Sequence, residues 1–303
     1  MIEGPVSELA SLTTEARNPG TENLDSLSPL ELAETMHAAD REALAAVERE
    51  LPQIAQAVEA ISGRLQQGGR LFYLGAGTSG RLGVLDASEC PPTYNAPPEL
   101  VQGLIAGGDT ALRCSVERAE DDESQGRRDL EQHGFAAKDV LVGIAASGRT
   151  PYVLGGIRYA RELGALTIGM SCVPESELAQ ASELAITPAT GPEVVTGSTR
   201  MKAGTATKLV LNMLSTGAMV RLGYVYGNLM VNVQPTNTKL RDRAARIIAT
   251  ITGLTHTEAG ALLQRAGSVK TAVVMQKLSL SREEAEQRLH ASRGRLRTAL
   301  ESR

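Results

Sequence analysis

The sequence predicts a doubly wound α/β domain with a mostly parallel sheet, preceded by N-terminal helices and followed by a small helical domain. Three observations predict it. Between residues 70 and 188, five short apolar runs, RLFYLGAG, VQGLIAG, DVLVGIAAS, LTIGMSC and LAITPA, alternate with helical stretches. Runs that are apolar on both faces fit central strands covered by helices, and the alternation favours right-handed βαβ connections. Four of the five runs end in Gly or Ser near their carboxyl ends, the edge at which open α/β sheets hold ligands. A chain of 303 residues with 42% hydrophobic content is long enough to bury such a core, as one large domain or two smaller ones.

The elements follow in order. The stretch TEARNPGTENLDSLSP reads as an extended arm. It ends in a helix start, with Ser28 as N-cap, Pro29 at the first helical position and Glu31 in the first turn. Leu44, Val47, Leu51, Ile54 and Val58 recur at helical spacing, so one or two long amphipathic helices are expected before the first strand. After Gly191, Ser198 or Thr199 is expected to cap a long helix with apolar positions at Leu209, Leu211, Met213, Leu214 and Met219, aiming further N–H groups at the ligand edge. From Leu240 the chain reads as helical, and TEAGALLQRAGSVKTAV is echoed by EEAEQRLHASRGRLRTAL, predicting two short helical hairpins. Two copies do not make a solenoid. The expected boundaries are 1–50 for the arm and first helix, 51–235 for the α/β domain and 236–303 for the helical domain.

Composition narrows the function. A formal charge of -4 gives no broad electrostatic reason to bind nucleic acid, and the carboxyl-terminal helices lack an aromatic platform or a continuous basic stripe. The amino terminus lacks a basic region followed by an apolar one, and no later stretch runs about 18 apolar residues. A cytoplasmic protein with no membrane span is therefore expected. Cys90, Cys114 and Cys172 are odd in number and show no CxxC spacing, which favours reduced thiols. His133 and His256 are isolated, so no metal is expected.

Three Gly/Ser/Thr loops offer chemistry: GAGTSG at Gly75–Gly80, ASGRTP at Ala146–Pro151 and TGSTRMK at Thr196–Lys202. Small residues permit close backbone approach, and N–H groups, hydroxyls and a helix dipole together make a phosphate site. The binding candidates are Gly77, Thr78, Ser79 and Gly80, then Ser147, Gly148, Arg149 and Thr150, then Ser198, Thr199, Arg200 and Lys202. Ser and Thr at such positions also serve as helix caps, and the cations also form surface ion pairs. The G-x-G-x-x-G spacing of the first loop invites a dinucleotide, but VQGLIAG lacks the acidic residue that would hold a ribose. No G-x-x-x-x-G-K-[ST] sequence is present. Hydroxyl-bearing loops of this kind favour a sugar phosphate.

The strings LGAGTSGRLGVLDASECPPTY, AEDD, VGIAASGRTPYV, EVVTGSTRMKAGTATKLVLNMLSTG and NLMVNVQPTNTKL, with the opening LTTEARNPGTENLD, closely resemble the N-acetylmuramic acid 6-phosphate etherase family of sugar isomerase (SIS) domain proteins. The resemblance spans most of the chain and is weakest in the carboxyl-terminal helices. It implies cleavage of a D-lactyl ether by elimination and hydration, without a cofactor, in a homodimer with its site near the subunit boundary. It also implies that Glu89, in SECPP, is the acid for the departing lactate oxygen and that Glu120, in AEDD, is its acid/base partner. By themselves, Glu120 reads as one more solvated charge in ERAEDDES, and Glu89 before Pro-Pro as a helix end. Cys90 beside Glu89 has no partner histidine nearby and reads as small-residue packing. A SIS-type aldose–ketose isomerase and a sugar-phosphate-binding regulator remain the alternatives.

Overall fold

The computed structural model describes residues 13–301, apart from the side chain of Glu117. The first residues of the chain, over which the sequence argues against a signal peptide, lie outside the described residues. The chain forms two compact units, residues 1–88 with 99–215, and residues 89–98 with 216–303.

In the first unit the arm makes short 3-10 turns at Pro19–Thr21 and Leu24–Ser26 before helix α1, Pro29–Arg49. Ser28 and Glu31 form a reciprocal capping box, the start that the sequence predicts. Helix α2, Leu51–Gln66, follows, so the amphipathic stretch is two helices. Their buried positions, Ala39, Ala43, Ala46 and Val47, then Ile54, Ala57, Ile61 and Leu65, repeat every three or four residues, the spacing of one helix face.

All five apolar runs are strands: β1 Leu71–Gly75, β2 Val101–Ile105, β3 Val140–Ile144, β4 Leu166–Met170 and β5 Leu184–Ile186. Every pairing is parallel and the order is β2-β1-β3-β4-β5. Strands β1, β3 and β4 are buried along their whole length, which is why they read as unbroken apolar runs. Helices α3 Gly77–Tyr94, α4 Glu123–Gln132, α5 Pro151–Glu162, α6 Glu177–Ala181 and α7 Lys202–Arg221 complete the winding. The strand order reverses between β1 and β3, so the crevice beyond their carboxyl ends is the topological switch point. At the opposite ends, buried Asp139 accepts hydrogen bonds from Arg70 N at 2.8 Å, Arg70 Nη2 at 2.7 Å and Ala136 N at 2.9 Å. Those bonds pin the starts of β1 and β3 together.

The second unit contains the carboxyl-terminal ends of α3 and α7, a hairpin and five helices. Strands β6, Val225–Tyr226, and β7, Leu229–Met230, pair antiparallel across Gly227-Asn228, with Gly227 at φ 59°. The sequence analysis missed this hairpin, whose turn needs the positive φ that glycine supplies. The helices are α8 Thr238–Thr252, α9 His256–Ala266, α10 Val269–Leu278, α11 Arg282–Ala291 and α12 Leu296–Glu301. The echoed segments form equivalent structures: a capping box (Thr255/Glu258, then Ser281/Glu284), a helix, a positive-φ glycine (Gly267, then Gly294) and a second helix. Among the described residues no helix is long and apolar enough to cross a membrane.

Candidate functional site

The first loop turns directly from β1 into α3. Gly77 has φ 52°, and a Cβ on Gly80 would lie 2.6 Å from both Gly75 O and Ile105 Cγ1. Only glycine lets the first turn of α3 approach the sheet this closely. Thr78 and Ser79 are half-buried in that turn, where backbone N–H groups have no intrahelical acceptor.

The second loop joins β3 to α5. Gly148 has φ 70° and sits against Ser176, and its carbonyl accepts the Leu178 N–H at 2.9 Å. Thr150 occupies the N-cap position of α5, but its hydroxyl makes no capping bond. Ser147 is half-buried, and its hydroxyl also has no protein hydrogen bond among the described residues. Arg149 is engaged within the protein. This loop and the glycine turn flank the switch point from its two sides, with Gly75 and Ile144 in register.

The third loop departs from expectation. Helix α7 starts at Lys202, so neither Ser198 nor Thr199 caps it. Its terminus is closed instead by Glu193, which is 1% exposed and accepts Lys202 N–H and Ala203 N–H at 2.9 Å each. A carboxylate at the positive end of the helix satisfies two orphan donors and the dipole together, so the end is filled from within. Residues 195–201 form tight turns, with Ser198 N–H on Val195 O at 2.9 Å and Met201 N–H on Ser198 O at 3.2 Å. The arm holds this segment through Thr21 Oγ1 on Val194 O at 2.9 Å and Asn18 Nδ2 on Pro192 O at 3.4 Å. Lys202 is 1% exposed, with its Nζ 2.6 Å from Glu42 Oε2. Ser198 and Thr199 are half-buried and Arg200 is exposed.

The two glutamates have different settings. Glu120, exposed like Glu89, lies in a 3-10 turn, Glu117–Asp121, at the rim of a cavity of about 170 Å³ that it lines with Ala76, Gly77, Arg81, Ser115 and Val116. Its carboxyl is held above the ordinary glutamate range, first by desolvation and second by the neighbouring charge of Asp121. Glu89 is exposed on the last third of α3, in the second unit. Pro91 and Pro92 do not stop that helix, which continues to Tyr94. The helix-end reading of Glu89 is therefore corrected. Cys90 is buried beside it. A larger cavity, about 570 Å³, runs along β2 and α4 and contains neither hydroxyl loop.

A model of the glucokinase regulatory protein N-terminal SIS domain matches residues 53–161, and the SIS domain model matches residues 134–217. N-acetylmuramic acid 6-phosphate etherase of Yersinia pestis (strain Pestoides F) is 56% identical over 96% of this chain and 99% of its own length. The protein of that name from Yersinia pseudotuberculosis serotype O:1b (strain IP 31758) gives the same values. The chain belongs to the N-acetylmuramic acid 6-phosphate etherase family. A crystal structure from Bacteroides fragilis NCTC 9343, assigned as a phosphosugar isomerase involved in capsule formation, is 20% identical with a TM-score of 0.50. It covers 65% of this chain and 94% of its own, and bears out the SIS-type fold.

Two residues at these loops escaped the sequence analysis. Glu193 gave no local signal, because its partners lie nine and ten positions later, beyond any capping-box spacing. Arg81 was legible only as part of a longer string, yet it shares the Glu120 cavity. Among the described residues no group of three or more His, Cys, Asp or Glu side chains has an arrangement to hold a metal.

Proposed function

We propose that this protein cleaves the D-lactyl ether of N-acetylmuramic acid 6-phosphate, giving N-acetylglucosamine 6-phosphate and D-lactate. Full-length similarity to etherases supports the reaction class. The observation that carries the site is the cavity joining the Gly77 turn to Glu120 beside the switch point. In this reading the phosphate lies between the first turn of α3, at Gly77, Thr78, Ser79 and Gly80, and the loop Ser147, Gly148, Arg149 and Thr150. Hydroxyls and helix N–H groups there neutralise its charge. The third loop contributes only the side chains of Ser198, Thr199 and Arg200.

The chemistry follows from the open-chain sugar. The C1 aldehyde acidifies the C2 proton, which passes to a carboxylate base as the C2–C3 double bond forms and the C3–oxygen bond breaks. The departing lactate oxygen takes a proton from the second carboxyl. Water then adds across the double bond, its oxygen to C3 and a proton to C2, so one water is consumed in all. Two carboxyls in unlike surroundings suit such an exchange, and the raised pKa of Glu120 brings its proton nearer neutral pH. Glu89 is the proposed acid for the lactate oxygen. A cytoplasmic homodimer, with the site near the subunit boundary and domain limits at residues 50 and 235, belongs to the same proposal.

The test is D-lactate release from N-acetylmuramic acid 6-phosphate in ¹⁸O-water, with and without a chelator. Chelator-resistant lactate with label at sugar C3 is expected. Saturable binding without lactate would favour an isomerase or a binding protein instead.

A further inference from the structure

We infer that Arg81 recognises the carboxylate of the D-lactyl group and sets the preference for a carboxylate-bearing ether; this rests on the etherase reading above. Arg81 stands at the start of the second turn of α3 and is half-buried. Its Nε–H donates to Leu112 O at 3.2 Å, which fixes the plane of the guanidinium. Arg81 lines the same 170 Å³ cavity as Glu120, Gly77 and Ser115. A guanidinium carries five N–H donors in a rigid fork, and among the described residues no carboxylate pairs with this one. Glu120 makes no ion pair with it: the guanidinium's hydrogen bond goes to Leu112 O, and the charge acting on the Glu120 carboxyl is that of Asp121. An arginine that lines a cavity with no carboxylate paired to it can receive an anion brought by the ligand.

The substrate brings two anions, and their positions on the sugar separate them. The phosphate sits on C6, whereas the lactyl carboxylate hangs from the C3 oxygen, fewer bonds from the bond that breaks. A group placed beside the acid/base therefore meets the carboxylate. The Ser147–Thr150 loop, across the switch point, remains for the phosphate. The product sugar has no carboxylate, so this contact also discriminates substrate from product.

The experiment compares kcat/KM for N-acetylmuramic acid 6-phosphate and its neutral lactamide analogue, in the wild type, Arg81→Gln and Arg81→Lys. The wild type is expected to prefer the carboxylate by on the order of 10- to 100-fold, the scale of one charge-assisted, forked contact. In Arg81→Gln that preference should fall toward unity, and Arg81→Lys, a point charge without the fork, should lie between. An undiminished preference in Arg81→Gln, with both substrates slowed equally, overturns the inference and moves Arg81 to enolate stabilisation or folding. Where Arg81→Gln fails to fold by its melting curve, Arg81→Lys carries the same ratio test. Wild-type protein that releases neither lactate nor lactamide overturns the etherase reading and this inference with it, whereas lactate release with an unmoved ratio overturns only the inference.

Discussion

Two loops of the first unit share one local pattern, small and hydroxyl residues with a cation ahead of a helix, and meet opposite ends. At Ser147–Thr150, the loop that follows β3, the N-cap hydroxyl of α5 makes no capping bond. At Ser198–Lys202 the end of α7 is closed by the buried carboxylate of Glu193, and the nearest cation is tied to Glu42. Hydroxyls before a helix therefore do not by themselves make an anion site. What decides is whether the fold supplies its own anion to that helix end.

Replacing Glu193 by Ala should have the largest effect on this contrast. It leaves two buried N–H groups without acceptors, at a cost of roughly 2–4 kcal/mol in denaturant unfolding. Inorganic phosphate should then stabilise Glu193→Ala more than it stabilises the wild type, because the vacated terminus attracts anions. Equal phosphate responses would mean that the end of α7 is closed by something other than this carboxylate.

Ser147→Ala and Thr150→Val should each weaken kcat/KM for lactate release by about tenfold, the loss of one hydrogen bond to a charged group. Ser198→Ala should cost less than about threefold, a gap near the size of a single weak contact. Steady-state kinetics on the three variants rank the loops directly, and a larger loss at Ser198 would reverse the assignment.

Lys202→Met should lower stability by less than about 1 kcal/mol. Its partner Glu42 has 64% of its side chain exposed and can be hydrated instead, and methionine fills the buried stem. A collapse of substrate affinity in this variant would return Lys202 to the phosphate.

The smallest effect on stability is expected at Glu120. Its folded-state pKa is raised, so the native state binds its proton more tightly than the unfolded chain, and stability declines as pH rises from the ordinary glutamate pKa through the raised one. Glu120→Gln removes that cost. Its melting temperature should exceed that of the wild type slightly at neutral pH, with the gap closing in acid, while lactate release falls by about 10²–10⁴ if the carboxyl moves a proton. A gap that widens in acid would contradict the shift.

Much of this was legible in the residues. The apolar runs marked all five strands of the main sheet because buried parallel strands are apolar on both faces, and Ser28-Pro29-x-Glu31 marked a helix start because its bonds are local. The echoed carboxyl-terminal segments were visible because both carry an Ala after Glu, a Leu further on and a Gly followed by a basic residue and Thr-Ala, all near neighbours in the chain. By contrast, the second strand pair is only four residues with a two-residue turn, too short for any periodicity to register.

The sequence by itself thus determined the layered α/β architecture, the hydroxyl loops at its ligand edge and the family resemblance, all of which depend on near neighbours in the chain. Tertiary structure alone decided that β1 and β3 flank the switch point, that Glu193 closes α7 and that Arg81 shares a cavity with Glu120. Each of these joins groups separated in sequence, and a side chain's charge becomes a cap, a counter-ion or a receptor only when folding fixes what stands opposite it.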